Sequence, residues 1–145
     1  MKIINEMKLC FDSRSVNEGF SRVAVSAFAA ALDPTVEELS DIKTAVSEAV
    51  TNAIVHGYRE KMGKIYITAA VTDNNTVRIR VRDRGAGIEN IEQAMQPLFT
   101  TLGGERAGLG FAVMESFMDK IRVRSKLGCG TTVTLEKHIL GKSTE

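Results

Sequence analysis

The sequence predicts an α+β fold, a two-layer α/β sandwich with helices on one face of a mostly antiparallel sheet. Two stretches in the first half of the chain carry apolar residues at helical spacing, and several short stretches alternate apolar and polar residues as half-buried strands do. Turn-forming residues separate these stretches. The 145 residues match the length of a domain with one core, so we expect a single domain over residues 1–145.

The chain begins with a predicted strand followed by a predicted helix. Apolar residues alternate with charged or small residues over residues 7–11, which is the period of a half-buried strand. Ser15 and Glu18 have the spacing of a capping box, so a helix is predicted to begin there and to run to about Leu32. The Asp-Pro pair at 33–34 is predicted to end it.

The second helix has the strongest signals in the chain. Thr35 and Glu38 form a second capping-box pattern, and apolar residues then recur at helical spacing over residues 39–53. Gly57 is the predicted stop, because glycine adopts the left-handed conformation that ends many helices.

The rest of the chain is predicted to form two hairpins and a further helix. Residues 64–83 alternate on both sides of the turn-forming segment 73–75, and residues 121–136 do the same around a Gly-Cys-Gly turn. Residues 111–119 have a helical pattern. Between the hairpins lies the glycine-rich segment 85–110, with a short helical signal at its centre, and so long an irregular segment in a small domain is usually functional.

Composition excludes several classes of function. Nineteen basic and eighteen acidic residues give a net charge of +1, so direct nucleic-acid binding is disfavoured. No apolar run is long enough to cross a membrane, and the first residues lack the pattern of a secretory signal, so we expect a cytoplasmic protein. Cys10 and Cys129 lie far apart without further Cys or His ligands, which indicates neither a zinc site nor a redox pair.

Three motifs carry residues suited to a binding site. Glu48, Asn52 and His56 recur every four residues at the end of the second helix, so they lie on one side of it. The carboxylate oxygens of Glu48 and the amide oxygen of Asn52 suit Mg²⁺, although a partly exposed helix face would look similar. For His56, packing or hydrogen bonding is a better explanation than catalysis.

The second motif follows the first hairpin, and the third precedes the next helix. Asp83-x-Gly85-x-Gly87 offers an acceptor for an exocyclic amine and two positions where backbone can approach a ligand, although a tight turn has the same pattern. Gly108-x-Gly110 before a helix suits phosphate binding, and Arg106 could add a charge-assisted hydrogen bond. A flexible connector with a solvated arginine is the alternative.

The order of these motifs, together with Gly130-Thr131-Thr132 before the last strand, resembles the nucleotide-binding boxes of the GHKL ATPases. Three segments, residues 31–35, 47–58 and 96–101, resemble more closely the sporulation anti-sigma factors that are also serine kinases. The resemblance covers nearly the whole chain. It implies the Bergerat ATP-binding fold, with ATP and Mg²⁺ as cofactors.

The resemblance also implies roles for individual residues. Asn52 would hold Mg²⁺, Glu48 would be the general base toward a serine hydroxyl, and Arg106 would meet the γ-phosphate. Asp83 would bind the adenine amino group with Thr131 beside it. The residues that would shape the phosphate pocket are Gly85, Gly87, Gly108 and Gly110. Residues 96–107 would form a lid that ATP orders.

The implied partners are a sigma factor of the sigma-F type, an anti-anti-sigma protein as serine substrate, and a second copy of the chain. Arg22 would contact both the sigma factor and its competitor, although a solvated arginine is the alternative. Two other functions stay open. One is a kinase-free nucleotide switch. The other is a detached histidine-kinase catalytic domain, although the chain lacks a phosphoacceptor-histidine motif.

Overall fold

The computed structural model describes residues 2–95 and 110–142. The elements, in chain order, are β1 (Ile3–Asp12), α1 (Val16–Ala29), a 3₁₀ turn (Ala30–Leu32), α2 (Val36–Asn52), a π-helical extension of α2 (Ala53–Tyr58), β2 (Lys64–Thr72), β3 (Thr76–Asp83), α3 (Ile91–Ala94), α4 (Phe111–Phe117), β4 (Lys120–Lys126) and β5 (Gly130–His138). Within these residues, no helix combines the length and apolar character needed to span a bilayer.

The five strands form one antiparallel sheet in the order β1-β2-β3-β5-β4. The α+β prediction is confirmed, and both predicted hairpins are present, with β2 paired to β3 and β4 paired to β5. The turn between β2 and β3 contains Asn75 with a φ of 62°, a conformation that asparagine adopts more readily than most residues.

The core lies between one face of this sheet and the helices. Alternate residues of β2, β3 and β5 are buried, in phase with Ile67, Ile79 and Leu135. From the other layer, α2 buries Ile42, Val46 and several alanines. The alanines have short side chains, so α2 can lie close to its neighbours. The opposite face of the sheet carries the polar residues of each alternation.

The start of α2 is as the sequence predicts. The Thr35 hydroxyl accepts a hydrogen bond from the Glu38 amide at 3.0 Å, and the Glu38 carboxylate accepts one from the Thr35 amide at 2.9 Å. Glu38 also accepts hydrogen bonds from the amides of Leu140 and Gly141. This capping box therefore starts the helix and also holds the segment after β5.

The capping box predicted for α1 is wrong. Ser15 has helical backbone angles, and its hydroxyl makes no capping hydrogen bond. The Glu18 carboxylate accepts a hydrogen bond from the Ser47 hydroxyl at 2.6 Å and pairs with Arg22 at 3.2 Å. Glu18 therefore links α1 to α2 instead of closing its own helix.

The stop predicted at Gly57 is also wrong, because the chain stays helical to Tyr58 and turns at Arg59, where φ is 60°. The π-helical extension, wider than an α-helix, is a geometry that occurs frequently at functional sites. Tyr58 is buried, and its hydroxyl accepts a hydrogen bond from the Arg84 amide at 2.8 Å. The last helical residue is thus tied to the end of β3.

We predict that Thr35→Ala lowers the free energy of unfolding by about 1 kcal/mol, because the Glu38 amide loses its capping acceptor. Ser15→Ala is the matched control and should change the free energy of unfolding by less than about 0.5 kcal/mol, because Ser15 does not cap. Urea unfolding of both variants measures the difference. Equal losses in the two variants would contradict the assignment of the two caps.

Candidate functional site

A pocket of about 460 Å³, including its open mouth, lies between the end of α2 and the sheet. Its lining comes from five parts of the chain: α2 with its π-helical extension, β3, the loop after β3, α4 and β5. The lining includes Asn52, His56, Asp83, Gly87, Phe111 and Thr131. The fold therefore brings together motifs that lie far apart in the sequence.

Asn52 and His56 line this pocket from the helix layer. Both are buried, with 8% of Asn52 and 7% of His56 exposed. Asn52 is the last residue of α2, and His56 lies within the π-helical extension. The helical spacing thus predicted correctly that the two side chains share a side, although it gave no signal of the wider turn between them.

Asp83 lines the pocket from the sheet. It is the last residue of β3, with 6% of its surface exposed, and it pairs in register with Thr131 of β5. Its Oδ1 accepts a hydrogen bond from the Gly85 amide at 2.8 Å. Burial raises the pKa of the Asp83 carboxyl to about 6, against the lowering effect of hydrogen bonds from the Gly85 and Thr131 amides.

Two glycines allow the helix end to approach Asp83. A Cβ on Gly57 would lie 2.9 Å from the Asp83 carboxylate, and a Cβ on Gly85 would lie 2.2 Å from the Gly57 carbonyl oxygen. The same carbonyl accepts a hydrogen bond from the Ala86 amide at 2.8 Å. Side chains at either glycine would force the helix away from β3.

Glu48 lies one turn before Asn52, beside the start of α4. Gly110 precedes α4 with a φ of 74°, and a Cβ there would lie 2.2 Å from Glu48 Oε1. Glu48 is partly exposed and is next to the pocket lining, since its neighbour Ala49 belongs to it. The structure therefore brings together Glu48 and Gly110, two residues the sequence placed in separate motifs.

Ser125 of β4 belongs to this site, although no motif in the sequence predicts it. Its hydroxyl oxygen accepts a hydrogen bond from the Ile88 amide at 2.7 Å and lies 3.0 Å from the Gly130 carbonyl oxygen and 2.8 Å from Thr131 Oγ1. One hydroxyl thus joins the loop after β3 to Thr131. The only signal in the sequence is its position in β4. Ser125 follows Ile121 and Val123 at alternate positions, which face inward, and it is the polar residue among them.

The remaining predicted site residues have different outcomes. Gly87 lines the pocket with a φ of 79°. Arg22 is an exposed residue of α1 and is paired with Glu18. Arg106, Gly108 and the predicted lid at residues 96–107 lie outside the described residues.

Metal binding at this site would depend on few protein ligands. Within the described ranges, no group of three or more His, Cys, Asp or Glu side chains could hold a metal ion. Mg²⁺ often uses one or two protein oxygens and takes the rest from water and phosphates. An amide oxygen from Asn52, buried in the pocket wall, fits that limited requirement.

Comparison with known proteins identifies the chain's relatives. A family model described as a histidine kinase-like ATPase domain matches residues 12–137. The anti-sigma F factor of Thermoanaerobacter sp. (strain X514) is 58% identical over 140 residues, covering 96% of this chain and 97% of the relative. The anti-sigma F factor of Geobacillus thermodenitrificans (strain NG80-2) is 55% identical over 136 residues, covering 93% of each chain.

Solved structures show the same fold. The structure of the RsbU and RsbW domains of Rv1364c from Mycobacterium tuberculosis matches with a TM-score of 0.69 and 25% identity, covering 93% of this chain and 32% of that chain. The mycobacterial sensor histidine kinase MprB matches with a TM-score of 0.59 and 15% identity, covering 92% of this chain and 100% of that chain. At that identity, the second match bears on the fold alone.

We predict that Asp83 makes the protein without nucleotide less stable as pH rises from about 4 to 6. The folded state holds the Asp83 proton more tightly than the unfolded chain, because burial raises the pKa to about 6. The contribution of Asp83 to the free energy of unfolding therefore falls by about 2 kcal/mol across this window, and it levels off by about pH 7.

The measurement is urea unfolding of the wild type and Asp83→Asn between pH 4 and 7. Asparagine keeps the size of the side chain but does not titrate, so other titrating groups cancel in the difference. The stability of the wild type relative to the variant should fall with rising pH. Parallel pH profiles for the two proteins would rule out Asp83 as the titrating group.

Proposed function

Because the chain belongs to the histidine kinase-like ATPase domains, and among them to the anti-sigma F factors, we propose that it binds and inhibits a sporulation sigma factor of the sigma-F type while ATP is bound. We further propose that it phosphorylates a serine of an anti-anti-sigma protein. One observation carries the proposal: a single pocket gathers Asn52, Asp83 and Thr131 from three separate segments, in a chain 58% identical to an anti-sigma F factor.

Asp83 is proposed to select the adenine base. An ionised carboxylate only accepts hydrogen bonds, and the adenine amino group donates them, so the pair is complementary. Asp83 ends β3 inside the pocket, and Thr131 lines the pocket beside it. Gly57 and Gly85 let this carboxylate lie close to the helix end. The open pocket beside it, between the helix layer and the sheet, is the space proposed for the base.

Asn52 is proposed to hold Mg²⁺ through its amide oxygen. The bound Mg-ATP would supply the transferable phosphoryl group and the neutralisation of its charge. The chain's contribution is position, because Asn52 ends α2 within the pocket wall. The close approaches that shape the site around it are made at three glycines, Gly85, Gly87 and Gly110. In the proposal, Gly108 shapes the same space and Arg106 meets the terminal phosphate.

Glu48 is proposed to take the proton of the serine hydroxyl. Its carboxylate lies one helical turn before Asn52, and Gly110 leaves room for it at the start of α4. A base at this point would stand beside the Mg²⁺ ligand without occupying the nucleotide pocket. Proton transfer requires such a carboxylate within hydrogen-bond reach of the incoming hydroxyl.

The first strand and first helix are proposed to form the partner surfaces. Val16, Phe20 and Val23 recur at helical spacing on α1, and all three are exposed. β1 is an edge strand of the sheet and exposes Ile3 and Ile4. Apolar residues exposed together in this way support a homodimer contact. Arg22 on the same helix is proposed to contact the sigma factor and, in competition with it, the anti-anti-sigma protein.

Incubation with Mg-ATP and the candidate partners tests the reaction class. Phosphoserine on the anti-anti-sigma protein, stable in acid, is the expected product. An acid-labile phosphohistidine would assign a histidine-kinase domain instead. Binding of ATP without any transfer would assign a nucleotide switch.

We predict that Glu48→Gln retains ATP affinity but loses most of its phosphotransfer rate, by about 100-fold or more, because glutamine keeps the shape and cannot accept the proton. Asn52→Ala is the contrasting variant and should lose Mg-ATP binding itself. Isothermal titration and a single-turnover transfer assay separate the two effects. A Glu48→Gln protein that transfers phosphate at the normal rate would remove Glu48 as the base.

We predict that Arg22→Ala weakens binding of both the sigma factor and the anti-anti-sigma protein by about 10- to 100-fold, the range for loss of a charge-assisted hydrogen bond. ATP affinity should be unchanged. Lys43→Ala, which removes an exposed positive charge from α2, is the control and should change neither affinity. Retention of both partners by Arg22→Ala would make Arg22 a solvated residue, and loss of only one would place the partners on different surfaces.

A further inference from the structure

The face of the sheet that points away from the helices carries two rows of basic residues, each running across all five strands. We call them the basic rows. Residues paired in register point to the same side of an antiparallel sheet, so the pairings define the members. The first row contains Cys10, Tyr66, Arg82, Thr132 and Arg124. The second row contains Lys8, Thr68, Arg80, Thr134 and Arg122.

The arginines of these rows form no ion pairs within residues 2–95 and 110–142. The four arginines are exposed, and within the described part of the chain none of them forms an ion pair. Neither row contains a carboxylate. In the adjacent row, by contrast, Arg78 pairs with Glu136 at 3.1 Å. The four arginines therefore have no ion-pair partner among the described residues. A groove lined by Arg80 and Arg122 also contains the carboxylates of Glu115, Asp119 and Glu136.

This arrangement could not be inferred from the net charge. The overall charge of +1 disfavours nucleic-acid binding because it averages both layers of the fold. Side chains alternate between the two faces along each strand, and β3 and β4 have arginines at alternate positions. All of these arginines therefore lie on the face away from the helices. A local basic surface therefore exists on a nearly neutral protein.

The side chains between the arginines favour a phosphate-bearing ligand. Thr132 and Thr134 lie between the arginines of β3 and those of β4, so hydroxyl donors alternate with guanidinium groups. Arginine and threonine are typical contacts of phosphate oxygens in nucleic acids. The buried core of a protein interface is more apolar than the rest of the surface, and these two rows contain no Leu, Ile, Val or Met.

An aromatic side chain adds a second feature of nucleic-acid surfaces. The Tyr66 ring lies in the first row, with the guanidinium carbons of Arg82 and Arg84 at 5.7 Å and 5.0 Å from its centre. Sheet faces that bind single strands combine such rings with basic residues, because exposed bases stack on rings and on guanidinium planes. Reading the bases of a duplex needs an element that enters its groove, whereas the exposed bases of a single strand can reach this ring directly.

From these observations we propose that the basic rows bind single-stranded nucleic acid. Arg80 and Arg82 are about 7 Å apart along β3, and β4 lies about 10 Å away across β5, so the patch matches a short stretch of one strand. A second copy of the chain is a poor occupant, because the same rows brought face to face would place like charges together. The site lies on the opposite side of the sheet from the nucleotide pocket, so it does not depend on the proposed function.

The test is fluorescence anisotropy with the full chain and a labelled 20-nucleotide oligouridylate RNA, measured from 50 to 300 mM KCl. A matching single-stranded DNA and a duplex of the same length are run in parallel. The two single strands should bind more tightly than the duplex. If three or four phosphates are contacted, the logarithm of affinity should fall with the logarithm of salt with a slope of about −2 to −3.

Two double variants test whether the basic rows are the binding site. Arg80→Gln combined with Arg122→Gln should weaken binding at least tenfold and reduce the magnitude of the salt slope by about 1.4. The matched control, Arg14→Gln combined with Lys43→Gln, removes two exposed charges outside the basic rows and should change affinity less than twofold. Thermal unfolding of both proteins checks that the fold is retained.

Three results would overturn the proposal. The first is absence of binding at 50 mM KCl and micromolar protein. The second is an equal loss of affinity in the control variant, which would indicate general charge attraction. The third is displacement of the RNA by poly-L-glutamate at lower concentration than by unlabelled RNA, with Tyr66→Ala binding RNA as well as the wild type. That result would assign the rows to an acidic protein.

Discussion

The burial of one carboxylate, Asp83, is the constraint on which the rest of the site depends. An acid with 6% of its surface exposed must be supplied with hydrogen-bond donors, and here backbone amides at Gly85 and Thr131 supply them. The end of α2 must also come close without a side chain in the way, and Gly57 meets that requirement. One side chain therefore contacts three parts of the structure: the loop after β3, β5 and the end of the helix.

Strand register links this site to the opposite face of the sheet. β3 places Val81 in the core and ends with Asp83 in the pocket, while Arg80 and Arg82 point outward. A slip of one residue in β3 would bury arginines and expose the carboxylate. The cost of burying two guanidinium groups fixes the register strongly, so the pocket at Asp83 and the basic rows are two consequences of one alternation.

The sequence predicted the elements well because their signals are local, and it failed where side chains had distant alternatives. The Thr35–Glu38 pattern forms a capping box. The Ser15–Glu18 pattern does not, because the Glu18 carboxylate binds Ser47 on the next helix and Arg22 on its own helix. The spacing of Asn52 and Asp83 within their motifs predicted that both would line a site, but the π-helical turn and the contacts of Ser125 depend on packing between elements. Separation of charge between the two faces depends on strand register, which composition does not report.

Glu18, Arg22 and Ser47 form one group of polar contacts between α1 and α2, and this group bears on the proposed partner role of Arg22. The Arg22–Glu18 pair is exposed and lies within one helix, so it stabilises by only about 0.5 kcal/mol and a partner can displace it at little cost. When Arg22 moves away, Glu18 stays in place, because the Ser47 hydroxyl donates a hydrogen bond to its carboxylate at 2.6 Å. A partner carboxylate that takes Arg22 must therefore reach the guanidinium from the side away from Glu18, since like charges repel at close range. Under the proposed role of Arg22, the fixed acid beside it selects partners by the direction of their approach as well as by their charge. Ser47, which holds that acid, lies next to Glu48 on α2, the same helix that lines the pocket.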